Sequence, residues 1–214
     1  MSDLTGELID NRYLLQRRLA AGGMATIYAG IDTRLDRPVA VKIMHAHLAN
    51  DEAFVSRFIK EAKATAALSH PNIVSIQDQG WNEGGPPAVF LVMELVEGTT
   101  LRDFLNENGV LNTEQTIQII NPVLSALAAA HKIGIIHRDI KPENLVFDEN
   151  GYLKLTDFGI AREWQPGAEN SNETSGTPGY MAPEVMCKNN HGIAADYFAV
   201  GVIAWECMFG RRPY

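Results

Sequence analysis

The sequence predicts an α+β fold of two lobes: a small, β-rich N-terminal lobe with one key helix over residues 1–96, and a mainly helical C-terminal lobe over residues 97–214. Two observations support this division. Apolar and β-branched runs of strand length dominate the first part, whereas long helical patterns punctuated by Gly and Pro dominate the second. With 214 residues, 46% of them hydrophobic, the chain is long enough to bury a core in one domain or in two lobes that share a cleft.

Short runs in the N-terminal lobe predict β-strands at residues 27–29, 39–44, 73–76 and 89–93. One helical pattern interrupts them, because residues that recur every three or four positions share one face of a helix. These residues are Phe54, Phe58, Glu61, Thr65 and Leu68. The predicted helix therefore carries the Glu61 carboxylate among mostly apolar neighbours.

Longer patterns in the C-terminal lobe predict helices at residues 101–106, 113–132 and 196–210. Pro122 lies inside the second, and an interior proline costs a helix about 3 kcal/mol, so we expect a kink or a helix restart there. Between the helices, the step Asn150-Gly151 favours a tight hairpin turn that joins strands at residues 145–147 and 152–155.

Charge and composition argue against several classes of function. The formal net charge is −8 and no cluster of Lys or Arg occurs, so no nucleic-acid partner is expected. Cys187 and Cys207 form no CxxC pair, which argues against a zinc site or a disulfide framework and favours reducing, cytoplasmic conditions. The N-terminus lacks the pattern of an export signal, and the apolar stretches are too short or carry Glu206, so no membrane span is expected.

Residues 19–27 form a run of small residues between two strand patterns. Such a run lets backbone N–H groups approach phosphate groups, although taken alone it is more often an ordinary hairpin. Lys42 ends an apolar strand, where an ammonium group is costly unless it has a partner. Glu61 on the predicted helix offers one, and the alternative is that each side chain reaches solvent separately.

The most informative motif is Ile-His-Arg-Asp-Ile-Lys-Pro-Glu-Asn at residues 136–144, followed by Asp-Phe-Gly at 157–159. Together the two motifs resemble the catalytic loop and the metal-binding loop of protein kinases. Gly-Thr-Pro-Gly-Tyr-Met-Ala-Pro-Glu at 176–184 resembles the end of a kinase activation segment, and residues 196–201 resemble the start of the central helix of the large lobe. A polar turn before a hairpin would not explain both motifs at this separation.

The resemblance implies that the chain binds Mg-ATP and transfers the γ-phosphoryl group to a protein hydroxyl. Asp139 would orient the attacking hydroxyl, and Lys141 would neutralise the transferring phosphate. Asn144 and Asp157 would hold Mg²⁺, with Mn²⁺ as an alternative. Lys42, paired with Glu61, would hold the α- and β-phosphates, and the phosphate loop would be formed by Ala20, Ala21, Gly22 and Gly23.

The same resemblance implies how adenine is bound. The connection from Met93 through Glu94 to Val96 would be the hinge that hydrogen-bonds adenine, and the purine would be sandwiched by Ile27, Ala40 and Val146. By the same likeness, Asp196 would anchor the backbone of the catalytic loop.

Lys141, two residues after Asp139, and the Gly-Thr-Pro-Gly-Tyr run resemble kinases that act on Ser or Thr of protein substrates. The overall sequence pattern resembles that of bacterial Ser/Thr kinases. Such kinases are often tethered to the plasma membrane, with the catalytic domain in the cytoplasm. A phosphate in the activation segment would pair with Arg138 and order the segment. The candidate sites for this autophosphorylation are Ser171, Thr174 and Ser175.

The sequence departs from the kinase pattern in two places. Ala20 and Ala25 replace the outer glycines of the phosphate loop, and alanine resists positive φ. The family continues beyond the central helix, so the resemblance predicts a large lobe truncated after that helix and self-association through Phe198, Val202 and Trp205.

Two alternative functions remain. One is a nucleotide-binding, catalytically weak kinase fragment that acts by binding a partner. The other is a phosphotransferase for small molecules, which the run at residues 176–184 disfavours.

Overall fold

The computed structural model describes residues 3–23, 25–49, 52–82, 88–158, 177–188 and 192–214. The chain forms two compact units. The first consists of Met1–Ala67 and Ser75–Val96, and the second consists of Leu68–Val74 and Glu97–Tyr214. In the described residues, no helix is long and apolar enough to cross a membrane.

The first unit contains an antiparallel sheet of six strands in the spatial order β1-β2-β3-β4-β6-β5. The strands are β1 (Leu8–Ile9), β2 (Tyr13–Ala21), β3 (Ala25–Asp32), β4 (Arg37–Met44), β5 (Ile76–Asn82) and β6 (Ala88–Glu94). Two helices, α1 (Ala46–Ala49) and α2 (Glu52–Ala66), follow β4. One face of the sheet carries the hydrophobic core of this unit, in which Tyr13, Val39, Val41 and Phe90 are almost completely buried. The strands predicted at residues 27–29, 39–44 and 89–93 and the helix that carries Glu61 are confirmed.

The strand predicted at residues 73–76 is wrong, since β5 begins only at Ile76. Residues 72–74, which belong to the second unit, pair instead with Leu155 of the same unit. The Leu155 amide donates to Asn72 O at 2.8 Å, and the Val74 amide donates to Leu155 O at 2.9 Å. An apolar run reports burial but not its hydrogen-bond partner, so the sequence pattern did not separate the two cases.

The second unit combines helices with an antiparallel sheet of three strands, in the order β7-β8-β9. The strands are β7 (Gly98–Thr100), β8 (Leu145–Asp148) and β9 (Leu153–Leu155); the helices are α3 (Leu101–Asn108), α4 (Thr113–Lys132), α5 (Pro183–Lys188) and α6 (Ile193–Phe209). A 3-10 turn, Pro142–Asn144, precedes β8. The predicted hairpin between β8 and β9 is confirmed: Gly151 has a φ of +80°, and the Asp148 carboxylate accepts from the Asn150 amide.

Helix α4 begins where the sequence predicts, because Asn112 and Gln115 form a reciprocal capping box. It runs through Pro122 as one helix, so of the predicted kink or restart, the restart is not observed. Val123 and Leu127 of α4 are almost completely buried in the core that the helix shares with α6. Burial of this face outweighs the local cost of the proline, since tertiary packing provides most helical stability.

Helix α6 corrects the surface predicted for self-association. Val202 is only 3% exposed and belongs to the core of the second unit. The exposed large side chains of the helix include Tyr197, Trp205 and Phe209, at 41%, 39% and 53% exposure. Phe198 is partly buried and stacks on the ring of Tyr214. Because α6 is apolar on all sides, its sequence does not show which of its faces is buried.

Candidate active site

The predicted catalytic loop is fastened to α6 by Asp196, whose side chain is 1% exposed. Its Oδ2 accepts from the His137 amide at 2.8 Å, and its Oδ1 accepts from the Arg138 amide at 2.8 Å. Arg138 has a φ of +69°, a region that side chains other than glycine seldom occupy. The two hydrogen bonds hold this conformation, and they confirm the prediction that Asp196 anchors the catalytic loop.

His137 is fully buried beneath the loop, and the sequence argument gave it no role. Its Nδ1 accepts from the Asp139 amide at 3.2 Å, and its Nε2 lies 2.9 Å from Thr156 O. A ring that accepts at Nδ1 and donates at Nε2 is the neutral tautomer. Burial lowers the pKa of His137, which agrees with this state. The imidazole thereby links Asp139 to the segment that leads to Asp157.

Asp139, Lys141 and Asn144 lie together. Lys141 Nζ is 3.0 Å from Asp139 Oδ2, and Asn144 Nδ2 donates to Asp139 O at 2.7 Å and to Asp139 Oδ2 at 3.2 Å. Lys141 Nζ also donates to Thr177 Oγ1 at 3.4 Å. We name Asp139, Lys141, Asn144 and Thr177 the polar cluster. It brings a carboxylate, a cation and a hydroxyl from two distant segments into one place.

Asn144 and Asp157, the predicted metal ligands, come from neighbouring segments, since the Thr156 amide donates to Asn144 O at 2.9 Å. Because the Asn144 amide nitrogen is directed at Asp139, its Oδ1 is the atom available as a ligand. Asp157 has a φ of +58°, a second unusual backbone conformation at this place. One amide and one carboxylate oxygen fit Mg²⁺, which takes few protein ligands and completes its shell with water and phosphate oxygens. In the described ranges, no group of three His, Cys, Asp or Glu side chains suits a metal ion.

A small pocket opens beside the polar cluster. Asp139 and Thr177 supply polar lining, whereas Ile140, Met181 and Val185 supply apolar lining. The pocket lies within the second unit, and residues 177–182 contribute much of its wall. The lining therefore combines one polar corner with apolar walls.

Five of the nucleotide residues predicted in the first unit share one face of its sheet. Ile27 pairs with Lys42, which pairs with Leu91, and Ala40 pairs with Met93. Directly opposed residues, and residues two apart on a strand, point to the same side of a sheet. Ala20 pairs with Ile27 and so joins the set. The face opposite the core therefore carries Ala20, Ile27, Ala40, Lys42 and Met93.

The small-residue run forms the turn between β2 and β3. Ala21 pairs with Thr26, and the Gly22 amide donates to Ala25 O at 2.9 Å. Gly23 follows in the same turn. Replacement of the outer glycine by Ala25 is accommodated because Ala25 already belongs to β3 and has no positive φ.

The remaining predicted residues lie in both units. Glu94 ends β6 and its amide donates to Ser75 O at 3.0 Å; Val96 ends the first unit. Val146 lies on β8 of the second unit. The side chain of Glu61 and the phosphorylation candidates Ser171, Thr174 and Ser175 lie outside the described residues, and so does the predicted ion pair of Lys42 with Glu61.

A six-stranded sheet unit, a helical unit and a catalytic loop anchored on α6 define the protein kinase class. The chain belongs to the protein kinase domain family, whose model matches residues 13–214. It is 43% identical over 212 residues to the serine/threonine-protein kinase PknL of Mycobacterium tuberculosis, covering 99% of this chain and 52% of PknL. It is 40% identical over 212 residues to the serine/threonine-protein kinase PrkC of Bacillus subtilis, covering 99% of this chain and 32% of PrkC.

Among solved structures, the kinase domain of PknI from Mycobacterium tuberculosis matches with a TM-score of 0.78 and 26% identity. The match covers 100% of this chain and 78% of the PknI chain. The protein kinase fold predicted from the sequence is therefore confirmed. The chain spans about half the length of PknL and about a third of that of PrkC.

Proposed function

We propose that this protein is a Ser/Thr kinase, which transfers the γ-phosphoryl group of Mg-ATP to serine or threonine hydroxyls of protein substrates. The polar cluster, held in place by Asp196 and His137, is the observation that carries the proposal. Phosphoryl transfer depends chiefly on positioning and on neutralising charge, and this cluster supplies both. The names of relatives such as PknL and PrkC support the same activity.

In the reaction, Asp139 accepts a hydrogen bond from the attacking hydroxyl and orients its oxygen toward the γ-phosphorus. The bond from that oxygen to phosphorus forms as the bond to the bridging oxygen of ADP breaks, and Asp139 takes up the hydroxyl proton. Lys141, at 3.0 Å from Asp139 Oδ2, is proposed to neutralise the negative charge of the transferred phosphoryl group.

Asn144 and Asp157 are proposed to hold the magnesium ion, which neutralises phosphate charge when bound. The sheet face with Ala20, Ile27, Ala40, Lys42 and Met93 is proposed to bind the nucleotide, with Glu94 and Val96 offering backbone groups. Lys42 is the cation of this face and would contact the α- and β-phosphates. Glu61 would hold Lys42 in place.

Lys141 and the Gly-Thr-Pro-Gly-Tyr run, which resemble kinases that act on Ser or Thr, support Ser/Thr specificity, and Lys141 contacts Thr177 of that run. We further propose that Thr174 or Ser175 becomes autophosphorylated, with Arg138 as the counter-ion. A cytoplasmic location suits a domain that uses ATP and carries the free cysteines Cys187 and Cys207.

The test compares the protein with Asp139→Asn and Asp157→Ala in transfer of labelled phosphate to a mixed Ser, Thr and Tyr peptide library. The unchanged protein should label Ser and Thr peptides. Asp139→Asn should lose about 100-fold or more in kcat while keeping its affinity for Mg-ATP, because the residue acts on the hydroxyl. Asp157→Ala should lose Mg-dependent binding of the nucleotide. Binding without transfer by the unchanged protein would favour the alternative of a catalytically weak nucleotide-binding domain.

A further inference from the structure

Arg102, near the start of α3, contacts three parts of the second unit that are distant in sequence. Its Nη1 donates to Glu206 Oε1 of α6 at 2.9 Å, and its Nε donates to Glu143 Oε1 of the 3-10 turn at 2.9 Å. Its Nη2 contacts the hydroxyl of Tyr180. The planar guanidinium offers several donors in a fixed arrangement, which lets one side chain join three elements.

Tyr180 closes this arrangement into a cluster. Its hydroxyl donates to Glu206 Oε2, which also lies 3.4 Å from Arg102 Nη2. Burial, followed by the hydrogen bond to Glu206, raises the pKa of Tyr180, so the phenol stays neutral and continues to donate. Burial alone would lower the pKa of Arg102, but hydrogen bonds to Glu206 and Glu143 outweigh it and the pKa is raised. The cluster of Arg102, Glu143, Tyr180 and Glu206 thus holds one cation and two carboxylates.

The two carboxylate contacts of Arg102 differ in burial. The Glu206 side chain is 10% exposed and the Glu143 side chain is 44% exposed, while that of Arg102 is 26% exposed. Breaking the buried contact would leave a buried charge without its cation, which is strongly destabilising. The exposed contact with Glu143 adds little stability, as is usual for surface ion pairs. The contact with Glu143 therefore matters for the position of the 3-10 turn rather than for the stability of the protein.

Two of the residues that Arg102 contacts, Glu143 and Tyr180, lie next to the polar cluster. Glu143 directly precedes Asn144, whose side chain holds Asp139. The Tyr180 amide donates to Thr177 O at 3.0 Å, and the Thr177 hydroxyl accepts from Lys141 Nζ. Tyr180, Thr177 and Asp139 all line the pocket beside the cluster.

We propose that Arg102 is a positioning residue of the kinase reaction. It fixes the 3-10 turn and the turn at residues 177–180 in one arrangement, and so sets the geometry of Asp139, Lys141 and Thr177 without touching a reacting atom. The proposal rests on the proposed kinase function. It predicts that loss of the guanidinium raises the KM of the peptide substrate and leaves the KM of the nucleotide unchanged.

The test uses Arg102→Lys, which keeps the charge near Glu206 but cannot reach three partners at once. Glu143→Gln removes the exposed arm alone, and the double variant completes a cycle. Glu107→Gln is the matched control, since Glu107 is an exposed glutamate on the same helix. Each variant is measured for kcat, for KM of a serine peptide and for KM of ATP. Hydrogen exchange is measured at the amides of Asn144 and Tyr180.

Arg102→Lys should raise the peptide KM about tenfold, leave the ATP KM unchanged, and speed exchange at both amides about tenfold. Adding Glu143→Gln should produce less than the product of the two single effects, whereas Glu107→Gln should match the unchanged protein. An unchanged peptide KM with unchanged exchange overturns the proposal, as does an equal rise in both KM values. If the unchanged protein transfers no phosphate, the proposed function fails, and the exchange measurement still decides whether Arg102 fixes the two turns.

Discussion

At the scale of single residues, the chemistry depends on side chains that the protein holds in unusual states. Arg138 and Asp157 adopt positive φ angles of 69° and 58°, and neither is glycine. Such conformations cost about 1–3 kcal/mol each and cluster at functional sites. Here the Asp196 carboxylate offsets the cost at Arg138 by accepting two backbone hydrogen bonds. Two of the five non-glycine residues with positive φ in the described part of the chain therefore lie in the segments in which we place the reaction.

His137 gives a prediction about pH. Its pKa is lowered by burial, so below the usual pKa of about 6.5 the unfolded chain binds a proton that the folded chain does not. The free energy of unfolding should therefore be unaffected by this residue above that pH and should fall as the pH drops below it, by up to about 1.4 kcal/mol per pH unit.

Urea unfolding between pH 5 and 8 measures this effect. His137→Phe, which does not titrate, should show a shallower loss of stability on acidification than the unchanged protein. His47→Gln, at an exposed position of α1, serves as the control and should keep the original slope. Identical slopes for all three proteins would contradict a buried, neutral imidazole.

At the scale of elements, helix α6 supports the catalytic loop through one side chain. Asp196 lies in the first turn of α6 and reaches the amides of His137 and Arg138 as well as His131 Nε2 of α4, at 2.8 Å. The helix is thus a platform for the loop and also part of the core. A loop whose amides are satisfied by a buried carboxylate is held more firmly than one that depends on water.

Replacement of Asp196 should separate these two roles. Asp196→Ala leaves one buried and one partly buried amide without an acceptor and should cost about 2–5 kcal/mol of unfolding free energy. Asp196→Asn keeps one carbonyl oxygen and should cost roughly half as much. Chemical denaturation gives both values. Equal stability of the two variants would mean that Asp196 does not hold the loop through its oxygen atoms.

At the scale of the whole molecule, α6 presents an apolar stripe to solvent. Tyr197, Trp205 and Phe209 are exposed and lie at multiples of four residues, so they share one helix face. The rings of Trp205 and Phe209 are 4.4 Å apart. Contiguous exposed apolar side chains of this kind favour association.

We expect the 214-residue chain to self-associate at high concentration through this stripe. Sedimentation velocity over a concentration series should show a rising mean mass, and Trp205→Lys should suppress the rise without unfolding the protein. Leu35→Lys, at another exposed apolar position on the first unit, is the control and should leave the association unchanged. A monomer at every concentration would exclude the stripe as a contact surface.

The sequence alone predicted the protein kinase family, which the comparisons confirm, and the residues that we propose for the chemistry. The loop at residues 136–144 and the Asp-Phe-Gly motif have fixed spacing and defined chemistry, and the bounds of α4 follow from its helical pattern. These features are local, so they can be read within a short window of the chain.

Only the tertiary structure decided which distant residues meet. Residues 72–74 pair with Leu155 rather than extending β5, α4 continues through Pro122, and Val202 faces the core rather than solvent. The contacts of Arg102 with Glu143, Tyr180 and Glu206 likewise cross up to 104 positions. Periodicity shows that a residue is buried, but the partner that buries it is set by packing between elements far apart in the chain.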